Sequence, residues 1–176
     1  INNGHVALRT KDGIKRNVEK LDGTVALNMS GMSKGAFTAD IDGSSVLVDG
    51  NIDMDDVSNF DVFVQADEID MAGIMSFVPL RKDLVVSKGK LQDLHLNIKS
   101  EDGQYVMSGN VGFKGLSGTY KRGNTTYTIT DGEGRIMLNH DQIVISHSSW
   151  RINDQEAKLN GLITLGKEEE YLNLNV

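Results

Sequence analysis

The chain has 176 residues, with 18 Lys and Arg against 25 Asp and Glu and a net charge of -7. With no basic run, that balance argues against nucleic acid and against an anionic membrane surface as electrostatic partners, because neutralising phosphates needs clustered Lys and Arg. The lack of cysteine excludes disulfides, thiolate metal sites and thiol nucleophiles within the chain.

One phrase recurs from end to end: a glycine, then two aliphatic or β-branched residues at alternate positions. It reads Gly4-His-Val6-Ala-Leu8, Gly23-Thr-Val25-Ala-Leu27, Gly50-Asn-Ile52-Asp-Met54, Gly109-Asn-Val111-Gly-Phe113, Gly134-Arg-Ile136-Met-Leu138 and Gly161-Leu-Ile163-Thr-Leu165. Each is expected to be a turn or bulge glycine followed by a strand with one apolar face. The chain holds 19 glycines and one proline, a balance that suits a long antiparallel meander whose ladders proline would interrupt.

In chain order, alternation marks Val25, Leu27 and Met29, then Phe37, Ala39 and Ile41, then Val46 and Val48, then Val62, Val64 and Ala66. A break follows. Asp67 to Val78 has helical spacing, with Asp67 as N-cap and Pro79 as stop, and predicts one short helix. Alternation resumes with Leu94, Leu96 and Ile98, then Met107, Val111 and Phe113. It continues through Ile136 and Leu138, Ile143 and Ile145, and Leu159, Ile163 and Leu165. The positions between are mostly polar, so one face is apolar and the other wet, as in antiparallel sheet. Between Leu91 and Leu94 the pattern slips by one residue, which predicts a β-bulge near Gln92 and Asp93. Lys11-Asp-Gly13, Asp22-Gly23, Asp42-Gly43, Asp49-Gly50, Glu101-Asp-Gly103, Arg122-Gly-Asn124 and Asp131-Gly132 are the expected turns. Together these give an all-β, largely antiparallel fold of about a dozen strands.

Catalytic and metal motifs fail on context. Gly31-Met-Ser33-Lys-Gly35 has the spacing of a nucleophile elbow, but that device needs a strand before it and a helix after it, and here a strand follows. Ser87-Lys-Gly-Lys90 matches a Ser-x-x-Lys pattern without partner motifs and reads as a strand-entry turn. Asp49-Gly-Asn51-Ile-Asp53 begins like a calcium loop, yet Met54 and Phe60 stand where glycine and glutamate are required; Asp53, Asp55 and Asp56 remain as a weak surface alternative. His5, His95, His140 and His147 have no metal spacing. No catalytic residue, cofactor or metal is expected.

The opening Ile1-x-Asn3-Gly4-x-Val6 with Val18-Glu-Lys-Leu-Asp-Gly-Thr-Val-Ala-Leu27, the stretch Ser87 to Leu96, and the tail from Ile129-Thr-Asp-Gly-Glu-Gly-Arg-Ile-Met-Leu138 through Ala157 to Ile163 together resemble the AsmA-like, TamB-type envelope proteins. The resemblance implies a long antiparallel sheet curled into an open apolar groove (a β-taco or repeating β-groove), with residues 1–176 forming one segment of a longer repeat protein. It implies a periplasmic location, with an inner-membrane anchor in a segment absent from this chain. It also implies phospholipid acyl chains as cargo between inner and outer membranes. The alternative it offers is a β-scaffold that assists outer-membrane protein and autotransporter assembly by strand augmentation. The protein partner it implies, through the full-length protein, is an outer-membrane barrel assembly protein of the Omp85 type. The ends of the chain, Ile1-Asn-Asn-Gly and the strand-like Tyr171 to Val176, fit an internal piece.

On this expectation the groove is lined by Val25, Leu27, Met29, Phe37, Ile41, Val62, Val64, Leu96, Ile98, Val111, Phe113, Ile136, Leu138, Ile143, Ile145, Ile163 and Leu165. Alternation assigns these residues a face; it leaves open whether that face is a groove or a closed core. Trp150 has the same two readings, and the methionine-rich 67–78 segment could pack on the sheet or close one end of a groove.

Overall fold

The computed structural model describes residues 1–9, 15–41, 43–71, 83–101, 103–164 and 171–175. Eleven strands form one sheet: β1 (Gly4–Arg9), β2 (Lys15–Ala26), β3 (Met32–Ile41), β4 (Ser44–Asp53), β5 (Phe60–Asp70), β6 (Leu84–Glu101), β7 (Gln104–Arg122), β8 (Thr125–Asn139), β9 (Gln142–Ile152), β10 (Gln155–Thr164) and β11 (Tyr171–Asn175). Their order in the sheet is their order in the chain, with β1 and β11 as its terminal strands. The meander is antiparallel, as the alternation and scarcity of proline predict.

The predicted helix is corrected at its start. Asp67 to Asp70 continue β5, with Ile69 buried. The Glu68 carboxylate accepts from Lys90 Nζ and, at 3.4 Å, from Gln92 Nε2, so polar bonds to β6 hold this stretch extended. Residues 72–78 of that helix, Pro79 and the Lys11-Asp-Gly13 turn lie outside the described residues.

Turns fall at Gly43, Gly103 and Gly123, whose φ angles are 85°, 74° and 60°. The turns expected at Asp22-Gly23, Asp49-Gly50 and Asp131-Gly132 are corrected, because these glycines stand inside strands, as does Gly109. Gly134 and Gly161 stand at register shifts, as bulge positions do, and Gly4 opens β1.

The described residues divide into two compact units, 1–67 with 94–109 and 68–93 with 110–176. In the first, ladder partners stack in rows across β2 to β5. One row is Gly23, Phe37, Val48 and Val64; the next is Val25, Gly35, Gly50 and Val62. Ile41 pairs with Val18, and Ala39 with Val46, on the same face. Asp61 accepts from Asn97 Nδ2 at 2.6 Å and pairs with Lys99 Nζ at 3.2 Å, which leaves Leu96 and Ile98 on the opposite face, with Val62 and Val64.

In the second unit, Phe113 is 3% exposed and packs against Trp150 at a ring-centroid distance of 5.0 Å. Trp150 lies over Gly132, and Phe113 reaches Gly134. Ile136 pairs with Ile145, Leu138 with Ile143, and Ile143 with Ile163.

Among the described residues only six hydrophobic side chains are buried: Val18, Val46, Ala66, Ile69, Leu94 and Phe113. The apolar positions exist in the numbers a core needs, yet most stay half-exposed, because a sheet face is buried only when another layer covers it.

Candidate functional site

The two-glycine row of the first unit sets up the site. Gly35 and Gly50 lie side by side between Val25 and Val62, so two neighbouring strands carry no side chain there. The result is a trough of about 380 Å³, lined by Val25, Leu27, Phe37, Val48, Ile52, Met54 and Val62, with Ser33, Lys34 and Asn51 at its margin. From β2 to β5 it crosses three strand spacings, about 14 Å. Its lining is almost wholly apolar, and the sheet has paired the backbone beneath it.

Phe37 shapes the floor. A Cβ at Gly23 would lie 2.4 Å from its Cδ1, and one at Gly35 would lie 2.8 Å from its Cε2. The ring therefore occupies space that two glycines vacate. At Gly50 the crowding is from backbone, with Asp61 O 2.7 Å from the Cβ position. These glycines serve close approach, and none of the three has a positive φ.

A larger depression, about 530 Å³, lies in the second unit among Asp131, Ser149, Trp150, Arg151, Glu156, Ala157 and Lys158. Three of its charges already answer one another: Arg151 is 4.0 Å from Asp131 and 3.7 Å from Glu156. The smaller trough is the better candidate, since Val25, Leu27, Ile52 and Met54 of its apolar wall stay exposed.

Of the residues named from the sequence, Val25, Leu27, Phe37 and Val62 meet in the trough. Ile41, Val64, Leu96 and Ile98 share its face but lie beyond its rim. Met29 sits in the loop after β2 and is 83% exposed. Val111, Phe113, Ile136, Leu138, Ile143, Ile145 and Ile163 belong to the second unit, and Leu165 lies outside the described residues. The sequence reading omitted Val48, Ile52, Met54 and both floor glycines. The signal was present: Gly35 and Gly50 have the parity of Phe37, Val48 and Ile52, so each takes an apolar-face position in its strand.

The other motifs have structural roles. Ser33, 2% exposed, accepts from Asn28 N–H at 2.9 Å and donates to Asn28 O at 3.1 Å, closing the turn before β3. Ser87 and Lys90 lie within β6, which corrects the strand-entry turn. Ser87 Oγ donates to Ser117 O on β7, while Lys90 reaches Glu68 on β5. Asp53 and Asp56 accept from Asp55 N–H and from the Ser58 N–H and Oγ, and these bonds from Ser58 hold the Asp56 carboxyl below the usual carboxylate value. No cluster of His, Cys, Asp and Glu suited to a metal occurs among the described residues. His95 is half-buried with its ring 6.3 Å from that of Phe63, while His5, His140 and His147 are exposed.

Comparison of the chain with protein-family models, with curated proteins and with solved structures finds no match in any of the three.

Proposed function

We propose that this chain is a segment of an envelope-spanning bridge that shields phospholipid acyl chains as they pass between inner and outer membranes. The supporting observation is the glycine-floored trough: an open apolar strip over backbone already hydrogen-bonded within the sheet. An acyl chain tolerates such a surface because no unpaired polar group faces it. Each CH₂ sheltered from water gains roughly 0.8 kcal/mol, so about a dozen carbons gain on the order of 10 kcal/mol gross. The lipid leaves a bilayer and not water, so the net is near zero, which lets chains slide. Aliphatic walls and a floor of glycine backbone and the Phe37 ring offer no polar hook, and head groups stay at the open side.

The same proposal puts the protein in the periplasm. A segment outside this chain would anchor it in the inner membrane, and an Omp85-type barrel assembly protein would be reached through the full-length protein. No catalytic step is assigned. The open order of the sheet favours one second reading: β1 and β11 as terminal strands could template outer-membrane strands by augmentation.

Native mass spectrometry and lipid extraction on the chain purified from bacterial envelope test the proposal, with Val62→Asp in the trough and Thr38→Asp on the opposite face. Phospholipid should accompany the wild type and T38D and be lost from V62D, with far-UV circular dichroism unchanged in both. A lipid-free wild type, or lipid retained by folded V62D, refutes acyl shielding. Partner binding that V62D leaves intact would favour augmentation.

A further inference from the structure

The loops and strand ends at one end of the first unit carry exposed apolar side chains, of which Leu27 and Met54 also line the trough. Leu27, Met29, Met32, Met54, Val57 and Tyr105 are 68%, 83%, 43%, 39%, 65% and 72% exposed. They flank the β2–β3 loop, the β4–β5 loop and the start of β7, which antiparallel order brings to the same sheet end. Tyr105 lies beside Phe60, ring centroids 6.0 Å apart.

These loops are braced. Met54 N–H donates to Gly31 O at 3.0 Å, joining the two loops. Asp53 N–H bonds Asn59 O, Asn59 N–H bonds Asp56 O, and Ser33 closes the 28–33 turn. Several of the loop polar groups are thus satisfied internally while aliphatic tips point outward, the arrangement needed to enter a medium poor in hydrogen-bond partners.

We infer that this rim docks on a zwitterionic bilayer surface. Methionine, leucine and valine at loop tips with a tyrosine beside them suit a soft interface, where aliphatic groups enter the acyl boundary and a phenol stays at the head groups. The charge of the rim selects the lipid. Asp53, Asp55 and Asp56 sit in the same loop, which repels an anionic surface and complements the outward ammonium of a zwitterionic head group. The inference goes beyond the acyl trough and stands whether or not a lipid enters it.

The chain has no cysteine, so Val57→Cys gives a unique thiol for an environment-sensitive dye, and Thr38→Cys gives a control on the far face. With phosphatidylcholine vesicles at roughly 0.1 M salt, emission should shift to the blue for V57C and stay fixed for T38C. Co-sedimentation with the same vesicles should weaken about tenfold or more in Met29→Ser/Val57→Ser. These sites are exposed, so an unchanged melting temperature shows the variant folded. The inference is overturned by no shift at V57C or by an equal shift at T38C. It is also overturned by binding confined to vesicles containing phosphatidylglycerol, or by a self-associated dimer that M29S/V57S abolishes. Vesicle binding retained by V62D separates the rim from the trough: either can fail while the other stands.

Discussion

Gly132→Ala tests whether Trp150 is held where the structure puts it. A Cβ at residue 132 would lie 2.3 Å from both Cε3 and Cζ3 of the indole, whereas ordinary contact begins near 3.4 Å, so the ring must retreat by about 1.1 Å. It has little room. Its Nε1 donates to Ser148 Oγ at 3.1 Å, Ser148 Oγ donates in turn to Leu159 O, and Phe113 packs on its flank. Overpacking of this kind costs about 1–3 kcal/mol. The lost glycine entropy of the unfolded chain returns about 0.4–1 kcal/mol. A net loss of about 1–2 kcal/mol lowers the melting temperature by roughly 2–8 °C at this chain length. Trp150 is the only tryptophan, so intrinsic emission reports the displacement without labelling. Trp150→Leu should relieve the clash, and the G132A/W150L cycle should depart from additivity by about 0.5–3 kcal/mol. Unchanged emission in G132A together with an additive cycle would refute the packing described.

Ser33→Ala removes both bonds that close the 28–33 turn; it should cost about 1–3 kcal/mol and speed amide exchange at Asn28, and a neutral result would show the turn holds without it. Lys90 holds the Glu68 carboxyl below its usual value, and Glu68 holds the Lys90 ammonium above its own. Stability from Glu68 is therefore present above its unfolded pKa and lost as pH falls through the lowered folded value. Stability from Lys90 is present below its unfolded pKa and lost as pH rises through the raised one. Melting curves of wild type and Lys90→Met should differ near neutral pH in low salt and converge at both extremes; a gap that widens in acid contradicts the pairing. Val62→Asp and Met29→Ser/Val57→Ser address the trough and the rim separately, as set out above.

The strands and their apolar faces were legible because a two-residue period is written directly in the sequence. Val25, Phe37, Val48 and Val62 fall on one face with no tertiary information. The glycines were not legible in the same way. Asp22-Gly23, Asp49-Gly50 and Asp131-Gly132 carry the composition of tight turns, but what places them in strands is distant in sequence: Phe37 across Gly23, Val62 beside Gly50 and Trp150 over Gly132. A turn signal reports what the local backbone tolerates, and a partner's bulk decides how that tolerance is used. The helix prediction failed at Asp67 to Asp70 for a related reason. Periodicity alone saw Ile69 and its neighbours on a helical side, while Glu68 is bonded to Lys90 some twenty positions on.

The irregular φ angles explain how one face stays apolar when its residues change parity. Ile145 and Trp150 are an odd number of positions apart, yet Ile145 pairs with Gly161 and Trp150 with Ala157, which share one face of β10. The register slips between them, and His147 has φ 50°. In β2, Val18 and Val25 also differ in parity and meet Ile41 and Gly35 on one face of β3; Lys20 has φ 50° at that slip. Asp131 has φ 54° where β8 slips against β9, and Asp93, where the sequence predicts a slip in β6, has φ 50°. A bulge inserts one residue and restores the face beyond it. The residue with the positive φ is polar each time, and each has a polar partner: Lys20 meets Asp40 at 3.3 Å, Asp93 meets Arg135 at 3.0 Å, and Asp131 meets Arg151 at 4.0 Å. At the fourth, His147 N–H donates to Asn160 Oδ1 at 2.8 Å. Odd spacing between apolar runs, with a polar residue inside the gap, is therefore the sequence mark of the bulge. Applied to Val18–Val25 and Ile145–Trp150, it locates two slips that alternation alone passes over.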